Sequence, residues 1–309
     1  MEIRSINSAD ASQLYRLWKA ELNSRWPISE KVLSNALGLE NVGGNALRFG
    51  TWQDQVFCGA ITAELVGESA AITFIAVDVQ HQRHGIATQL VHNLIEDLKK
   101  RGVRSVSLGA GARKLLWHGV PTSLSAACNF FRRAGFELEE TSYDLIQNIS
   151  NFHASPETLR CCENYSVKLQ VLGLNDSNDF LKFELKYFPE WHKYFENSIA
   201  KDRHSDVLIA RKGEQVIGSV LLSIVPDCPG AHWNEFLGPK LGAFGILGVV
   251  PEHREHGVGL ALATYATETL RDRGVQNCFL HWTWLRDWYG KLGFKVWEEY
   301  KMGRIKLGN

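Results

Sequence analysis

The sequence has no apolar run approaching the roughly 20 residues that a membrane-spanning helix needs. Its start, MEIRSINSADASQLYRLW, is charged and amphipathic rather than signal-like. Nor is there an excess of charge: 34 Lys and Arg balance 34 Asp and Glu. That removes the broad basic field which draws a chain to nucleic acid or anionic lipid. The expectation is a cytoplasmic protein with no nucleic-acid and no membrane partner.

Cysteine is sparse as well. Cys58, Cys128, Cys161, Cys162, Cys228 and Cys278 form no C-x-x-C pair, and the chain is too long to need staples, so reduced structural thiols are expected. The adjacent Cys161 and Cys162 carry no assignment. The histidine pairs His81/His84 and His253/His256 do not match H-E-x-x-H, and no carboxylate cluster completes a site, so no metal is expected.

Apolar residues are plentiful, at 45% of 309, enough for two buried cores at the usual domain size of roughly 100–200 residues. The chain also repeats itself. HQRHGIATQL at 81–90 answers to HREHGVGLAL at 253–262, with Gly85 and Gly257 separated by 172 positions. So long a period means duplicated domains, not a solenoid. Each copy follows an apolar β-rich run, AAITFIAVDV or GAFGILGVV, and opens a helical pattern that stops at Gly102 or Gly274, placed as a C-cap.

Another apolar strand comes next, SVSLGA or CFLHWTW, and then a short helix ending in Gly-Phe, FFRRAGF or WYGKLGF, here separated by 158 positions. The 14-residue shortfall lies in GAGARKLLWHGVPTSL, an insertion peculiar to the first copy. Upstream, GTWQDQVFCGAITAEL and VLIARKGEQVIGSVLL each predict a hairpin around a polar turn. Ser8 or Asp10 is placed to cap the first helix of one copy, and Asn175, Asp176 or Ser177 that of the other. Periodicity is lost in QNISNFHASPETLRCCENYS around Pro156, so the boundary falls at about 150–165 and the expected domains are 1–155 and 156–309.

A strand that runs into a helix through a glycine turn leaves backbone N–H groups unpaired at the helix's positive end. Such a turn seats an anion, phosphate above all. Gly85 and Gly257 permit φ > 0, while Ala87 and Gly259 keep bulk away. A dinucleotide fingerprint would need a third glycine where Leu90 and Leu262 stand, which counts against a Rossmann site.

Gln82-x-x-Gly85-x-Ala87 and Arg254-x-x-Gly257-x-Gly259 resemble the Q/R-x-x-G-x-G/A pyrophosphate loop of the GNAT acyl-CoA-dependent N-acetyltransferases, and Gly-Phe after a short helix resembles that superfamily's closing motif. The resemblance covers nearly the whole chain. It implies an α/β fold of two tandem GNAT domains, each a mostly antiparallel mixed sheet splayed at a central parallel strand pair and flanked by helices. Acetyl-CoA is the implied cofactor.

Carried over residue by residue, the resemblance places the coenzyme A pyrophosphate on Gln82, Arg83, His84, Gly85, Ile86, Ala87 and Thr88, and on Arg254, Glu255, His256, Gly257, Val258, Gly259 and Leu260. Val77, Val79, Val249 and Val250 are the implied backbone partners of the pantetheine arm. Thr88 adds a hydroxyl that Leu260 lacks.

Amine acetylation needs a positioned neutral amine, a base for its proton, and often an acid for the leaving thiolate. Family members commonly supply that acid as a Tyr four residues before the glycine of Gly-Phe. Tyr289 stands there in the second copy and Phe131 in the first, which marks the second copy as active and leaves the first able to bind acetyl-CoA without turning it over. In the alternative, the first copy is the working one, with the acid replaced by Tyr143, His118 or water and WHGVPTS shaping its acceptor pocket. Thr283 and Arg286 depart from the Asn and Ala that often precede the Tyr.

Trp282 and Trp284, at strand spacing, predict one flat face, either core or a wall of the acceptor cleft, helped by NEFLGPKLGAFG, which is too glycine-rich for ordinary strand. The acidic residues Glu64, Asp78, Glu190, Glu196 and Glu235 are candidates to hold or deprotonate a cationic amine, and spacing singles out none.

The leading expectation is an N-acetyltransferase for a primary amine of a small, cationic molecule, bound between or beside the two units, such as an antibiotic disarmed in self-resistance of the zwittermicin or paenilamicin type. The alternatives are low-molecular-weight thiol biosynthesis, a protein-Lys acetyltransferase, and a non-catalytic acyl-CoA sensor. The oligomeric state is left open.

Overall fold

The structure, a computed structural model, describes residues 2–39, 45–113 and 115–308, without the side chains of Leu159 and Cys161. It divides into two compact units, Met1–Tyr143 with Glu298–Asn309, and Asp144–Trp297.

The first unit is built on a six-stranded sheet in the order Glu2–Ser5, Ala46–Gln53, Val56–Val66, Ser69–Val77, Ser105–Leu108 and Arg304–Lys306. The first four strands run antiparallel, and the turn of their central hairpin takes positive φ at Asp54 and Gln55, as a tight hairpin turn demands. Ser69–Val77 and Ser105–Leu108 are parallel, joined by the helix Ile86–Lys100. That helix buries Ile86, Leu90, Leu94 and Leu98, an i, i+4 stripe facing the sheet. The helix Ala11–Glu21 buries Leu14, Leu17 and Trp18.

The second unit repeats this order. From its middle outward its strands are Leu241–Val249, Gln215–Ile224, Val207–Lys212 and Val167–Val171 on one side, and Asn277–Thr283 and the part of Thr141–Asn148 from Asp144 on the other. Leu241–Val249 and Asn277–Thr283 are the parallel pair, joined by the helix Val258–Asp272. The sheet's two faces can be told apart residue by residue. A Cβ on Gly218 would touch Leu262 of that helix at 3.1 Å, so Gly218 faces Val258–Asp272. Its neighbour Ser219 therefore faces the helix Ser177–Tyr187.

Several local expectations are corrected. The unit boundary differs from 1–155 and 156–309 because Arg304–Lys306 pairs antiparallel with Ser105–Ser107, which ties residues 298–309 to the first unit. The stretch read as unstructured around Pro156 contains the helix Pro156–Asn164, with Pro at its first position where no N–H is needed. Asn7, rather than Ser8 or Asp10, accepts the capping bond at the start of the chain, and Asp10 returns it to the Asn7 amide in a capping box. That bond caps the 3-10 turn Ser8–Asp10; Asp10 itself holds the N-cap position of Ala11–Glu21, as Asp176 does that of Ser177–Tyr187, both without a side-chain capping bond.

LGAFG is strand after all. Gly242 is needed there because a Cβ would lie 2.8 Å from Val275. The thiols of Cys58, Cys128, Cys228 and Cys278 are buried and unbridged, and Cys161 lies outside the described side chains.

Candidate active site

The two loops adopt one conformation. Arg83 and Glu255 take φ of 67° and 65°, and Gly85 and Gly257 take 80° and 77° as the residues that open the helices Ile86–Lys100 and Val258–Asp272. A long polar side chain clamps each loop to the strand before it. Gln82 Nε2 donates to the Val77 carbonyl at 3.0 Å, and Arg254 Nε donates to the Val249 carbonyl at 2.9 Å. Among the described residues the amides of Arg83, His84 and Gly85, and those of Glu255, His256 and Gly257, have no protein acceptor. A Cβ on Gly85 would meet nothing within 4 Å. Each loop is therefore an exposed nest of donors at a helix N-terminus, the arrangement that holds a pyrophosphate.

Val77 and Val249 end their strands, whereas Val79 and Val250 lie beyond them at 3-10 turns. Val79 is 64% exposed and the Val250 amide donates to Ile217 at 2.9 Å, so neither offers strand backbone. The usable edges are Thr73–Val77 and Gly245–Val249. In the first unit the parallel pairing stops at Ile72 and Leu108, and in the second at Gly242 and Cys278, although each long strand runs on. Each strand also bulges beyond that point, at the next residue in the first unit and four residues on in the second. Thr73 is the extra residue between Ile72 and Phe74, and Ile246, at φ 46°, sits in the corresponding irregularity. Both units thus open a V between parallel strands, with unpaired backbone along one arm.

The interiors differ. Tyr289, on the short helix Arg286–Gly290, is 8% exposed and its ring lies 6.0 Å from Phe244. Phe244 pairs with Leu222, three residues from Ser219, and so belongs to the face of Val258–Asp272, as does Tyr289. Burial, with the Cys278 thiol adding to it, pushes the phenol up to about 12 and keeps it protonated at neutral pH. Phe131 holds the equivalent place in the first unit, packed against Phe136.

On the opposite face of the first unit, Trp18 lies 6.3 Å from Phe74 at the bulge, stacks on Trp117 at 5.6 Å, and Trp26 meets Trp117 edge-on at 4.8 Å. Trp117 comes from the insertion peculiar to that copy. Three indoles thus pack on that face of the sheet beside the V.

The acetyltransferase (GNAT) family matches residues 11–136 and 176–294, most of both units. The chain belongs to the GNAT acetyltransferase family. It is 28% identical over 135 residues, 43% of this chain and 81% of the other, to the [ribosomal protein bS18]-alanine N-acetyltransferase of Escherichia coli K12. Among solved structures, a glucosamine N-acetyltransferase region of a fungal multi-domain GH3 β-N-acetylglucosaminidase superposes with a TM-score of 0.87 at 19% identity, over 98% of this chain and 38% of that one. This chain therefore spans well under half of the fungal protein. A tandem GNAT protein of the clavulanic acid biosynthesis pathway superposes with a TM-score of 0.64 at 14% identity, over 100% and 99% of the two chains.

Members of the GNAT family use acetyl-CoA and acetylate amines of small molecules or proteins. The nests of unpaired amides, the open space at Gly85 and the unpaired strand edges fit that cofactor. The GNAT alternative with His118 as acid meets a physical obstacle: its ring is fully buried, bonded to Ser142 Oγ at 2.9 Å and packed 4.2 Å from Tyr300.

The acidic candidates scatter. Arg113 neutralises Glu64 at 2.7 Å, Asp78 caps a turn by accepting from the Gln80 amide, and Glu190, Glu196 and Glu235 are exposed. Trp282 and Trp284 keep their rings together, 6.2 Å apart, but not as a flat strand face. Trp282 bends the chain at φ 52°, the strand ends at Thr283, and Trp284 is 54% exposed.

Two groups had no sequence signal. Asp144, fully buried, receives the Trp282 amide at 2.9 Å and lies 3.0 Å from His281 Nδ1, which fixes the far arm of the V. Glu184, also fully buried, accepts from Ser219 Oγ at 2.5 Å. Only the folded register brings these partners together.

No helix among the described residues is long and apolar enough to cross a membrane.

Proposed function

We propose that the unit Asp144–Trp297 transfers acetyl from acetyl-CoA to a primary amine of a small molecule, and that the first unit binds the same cofactor without turning it over. One observation carries this reading. Two cradles of the same backbone conformation differ in what faces the splayed strands: a buried, protonated Tyr289 in one, Phe131 and three packed indoles in the other.

In the second unit, Arg254 through Leu260 would hold the pyrophosphate and Gly245–Val249 the pantetheine. Bound there, acetyl-CoA supplies the acetyl thioester. Tyr289 holds a proton at its phenol oxygen for the departing thiolate, and burial keeps water from competing. Acceptors named for relatives, an alanine of a ribosomal protein and glucosamine, are both amines. A cationic antibiotic disarmed in self-resistance is the finer form of the proposal, and the buried carboxylate of Glu184 supports a cationic acceptor.

Calorimetric titration of acetyl-CoA into wild type, Gly85→Glu and Gly257→Glu tests the cofactor assignment, since a carboxylate in an anion seat abolishes that seat. Two sites in wild type and one in each variant is the expected result. Acetyl transfer to glucosamine, spermidine and an alanine-ending peptide should disappear only in Gly257→Glu. Transfer lost only in Gly85→Glu would move the active site to the first unit, and binding without any transfer would favour an acyl-CoA sensor.

A further inference from the structure

Glu184 lies at the eighth position of Ser177–Tyr187, an 11-residue helix preceded by a 3-10 turn. The eighth position of its counterpart, Ala11–Glu21, is Trp18. Across from each helix, Ser219 pairs with Gly248 in the second unit and Ala60 with Ala76 in the first. A buried carboxylate and hydroxyl thus occupy the place that an indole and a methyl group fill in the other copy.

The carboxylate is only half satisfied. Oε1 accepts from Ser219 Oγ, while Oε2 is buried without a hydrogen-bond partner. A buried carboxylate oxygen left unpaired costs free energy and asks for a donor. Ser219 on the strand is the polar group that meets it, and no charged group acts on it from the packed elements. One helical turn on, the Phe188 ring covers Gly248, where a Cβ would lie 2.7 Å from it. Glu184 therefore stands over Gln215–Ile224 and Phe188 beside it over Leu241–Val249, whose far edge is the unpaired one, on the face opposite Tyr289.

We infer that Glu184 seats the primary ammonium of the acceptor and takes up its proton. The inference rests on the reading of this unit as the transferring one. An alkylammonium brings the donor that Oε2 lacks and the charge that the site lacks. The two protons lost from R–NH3+ then have separate destinations. The first passes to the Glu184 carboxylate and on to solvent, freeing the nitrogen lone pair. As the N–C bond forms and the C–S bond breaks, the thiolate takes the Tyr289 proton, and the amide nitrogen's surplus proton restores the phenol. Burial pushes the Glu184 carboxyl up to about 7 against the lowering effect of Ser219, so near neutrality it ionises readily enough to accept. A primary ammonium brings the N–H donor that Oε2 lacks, which a quaternary one cannot.

The test titrates cadaverine and its analogue with both nitrogens quaternised as trimethylammonium, by calorimetry, into the full chain loaded with coenzyme A, comparing wild type with Glu184→Gln. Thermal melting verifies that both proteins are folded. Wild type should bind cadaverine and not the quaternary analogue, and Glu184→Gln should bind cadaverine about 30-fold or more weakly. Equal binding by the two proteins, or none by either, overturns the inference. Turnover is measured separately: kcat for cadaverine should fall about 10²–10⁴-fold in Glu184→Gln and lose its rise near neutral pH, with the KM for acetyl-CoA unchanged. Cadaverine bound through Glu184 but never acetylated would sink the transfer reading and leave the ammonium seat standing.

Discussion

The loop at 82–88 and the loop at 254–260 match in φ, in clamp and in helix start, yet the side chains packed on the sheets behind them differ. In the first unit Phe131 lies on one face of the sheet and the indoles of Trp18, Trp26 and Trp117 on the other; in the second the corresponding faces hold the buried polar groups of Tyr289 and of Glu184 with Ser219. Backbone geometry at a helix start tolerates any side chain that leaves φ and the amides alone, so it survives duplication. Acid–base chemistry hangs on single functional groups, and one substitution removes it.

The sharpest way to break the comparison is to equalise the acid. Tyr289→Phe should lower kcat by about 10²–10⁴, read from acetyl transfer under saturating acetyl-CoA, while coenzyme A binding holds. The converse, Phe131→Tyr, should confer no activity on a Gly257→Glu background, because Trp18 still holds the place that Glu184 takes in the second unit. Any rate recovered there would erase the distinction between the units.

Next come the indoles. Trp117→Ala should cost the first unit about 3–5 kcal/mol in denaturant unfolding, the range for truncating a buried aromatic, with kcat at the second unit unaffected.

The third contrast is electrostatic. The Glu184 carboxyl binds its proton more tightly in the folded chain, with a pKa raised from 4.5 to about 7, so the stability it lends is full below 4.5 and drains as pH rises through 7. Wild type should therefore lose about 3 kcal/mol relative to Glu184→Gln across that window, measured by urea unfolding at a series of pH values. A flat difference would show that the carboxyl is not desolvated.

The smallest effect belongs to Thr88, which has Leu260 as its counterpart. Thr88→Val should weaken cofactor binding at the first loop by about 0.5–1.5 kcal/mol, one hydroxyl bond's worth, and leave the second loop's isotherm alone.

What the sequence disclosed follows from how far apart cooperating residues lie. Gly85, Gly257 and their flanking strand and helix act within a dozen residues, so their spacing alone exposed the cradles and the duplication. The place of Tyr289 on a short helix was readable for the same reason, being tied to the nearby Gly293. Glu184 was not, because its meaning depends on Ser219, which strand register rather than sequence proximity sets beneath it. Asp144 and His281 stand 137 positions apart. Trp282 and Trp284 do pack together, but a positive φ at Trp282 and the strand's end at Thr283 break the two-residue alternation that would have made them a flat strand face.

The pairing of Arg304–Lys306 with Ser105–Ser107 has a consequence for the order of assembly. The partners lie about 200 residues apart, so on a ribosome adding about 5–20 residues each second the strand Ser105–Leu108 waits about 10–40 s for its neighbour. Throughout that interval it presents a raw sheet edge. The intervening unit has contiguous chain and can close first, so the half emerging earlier is the half completed later. Nascent chains arrested short of residue 304 should accordingly yield a protease-resistant Asp144–Trp297 before a resistant first unit, and that early edge is where a chaperone would be of most use.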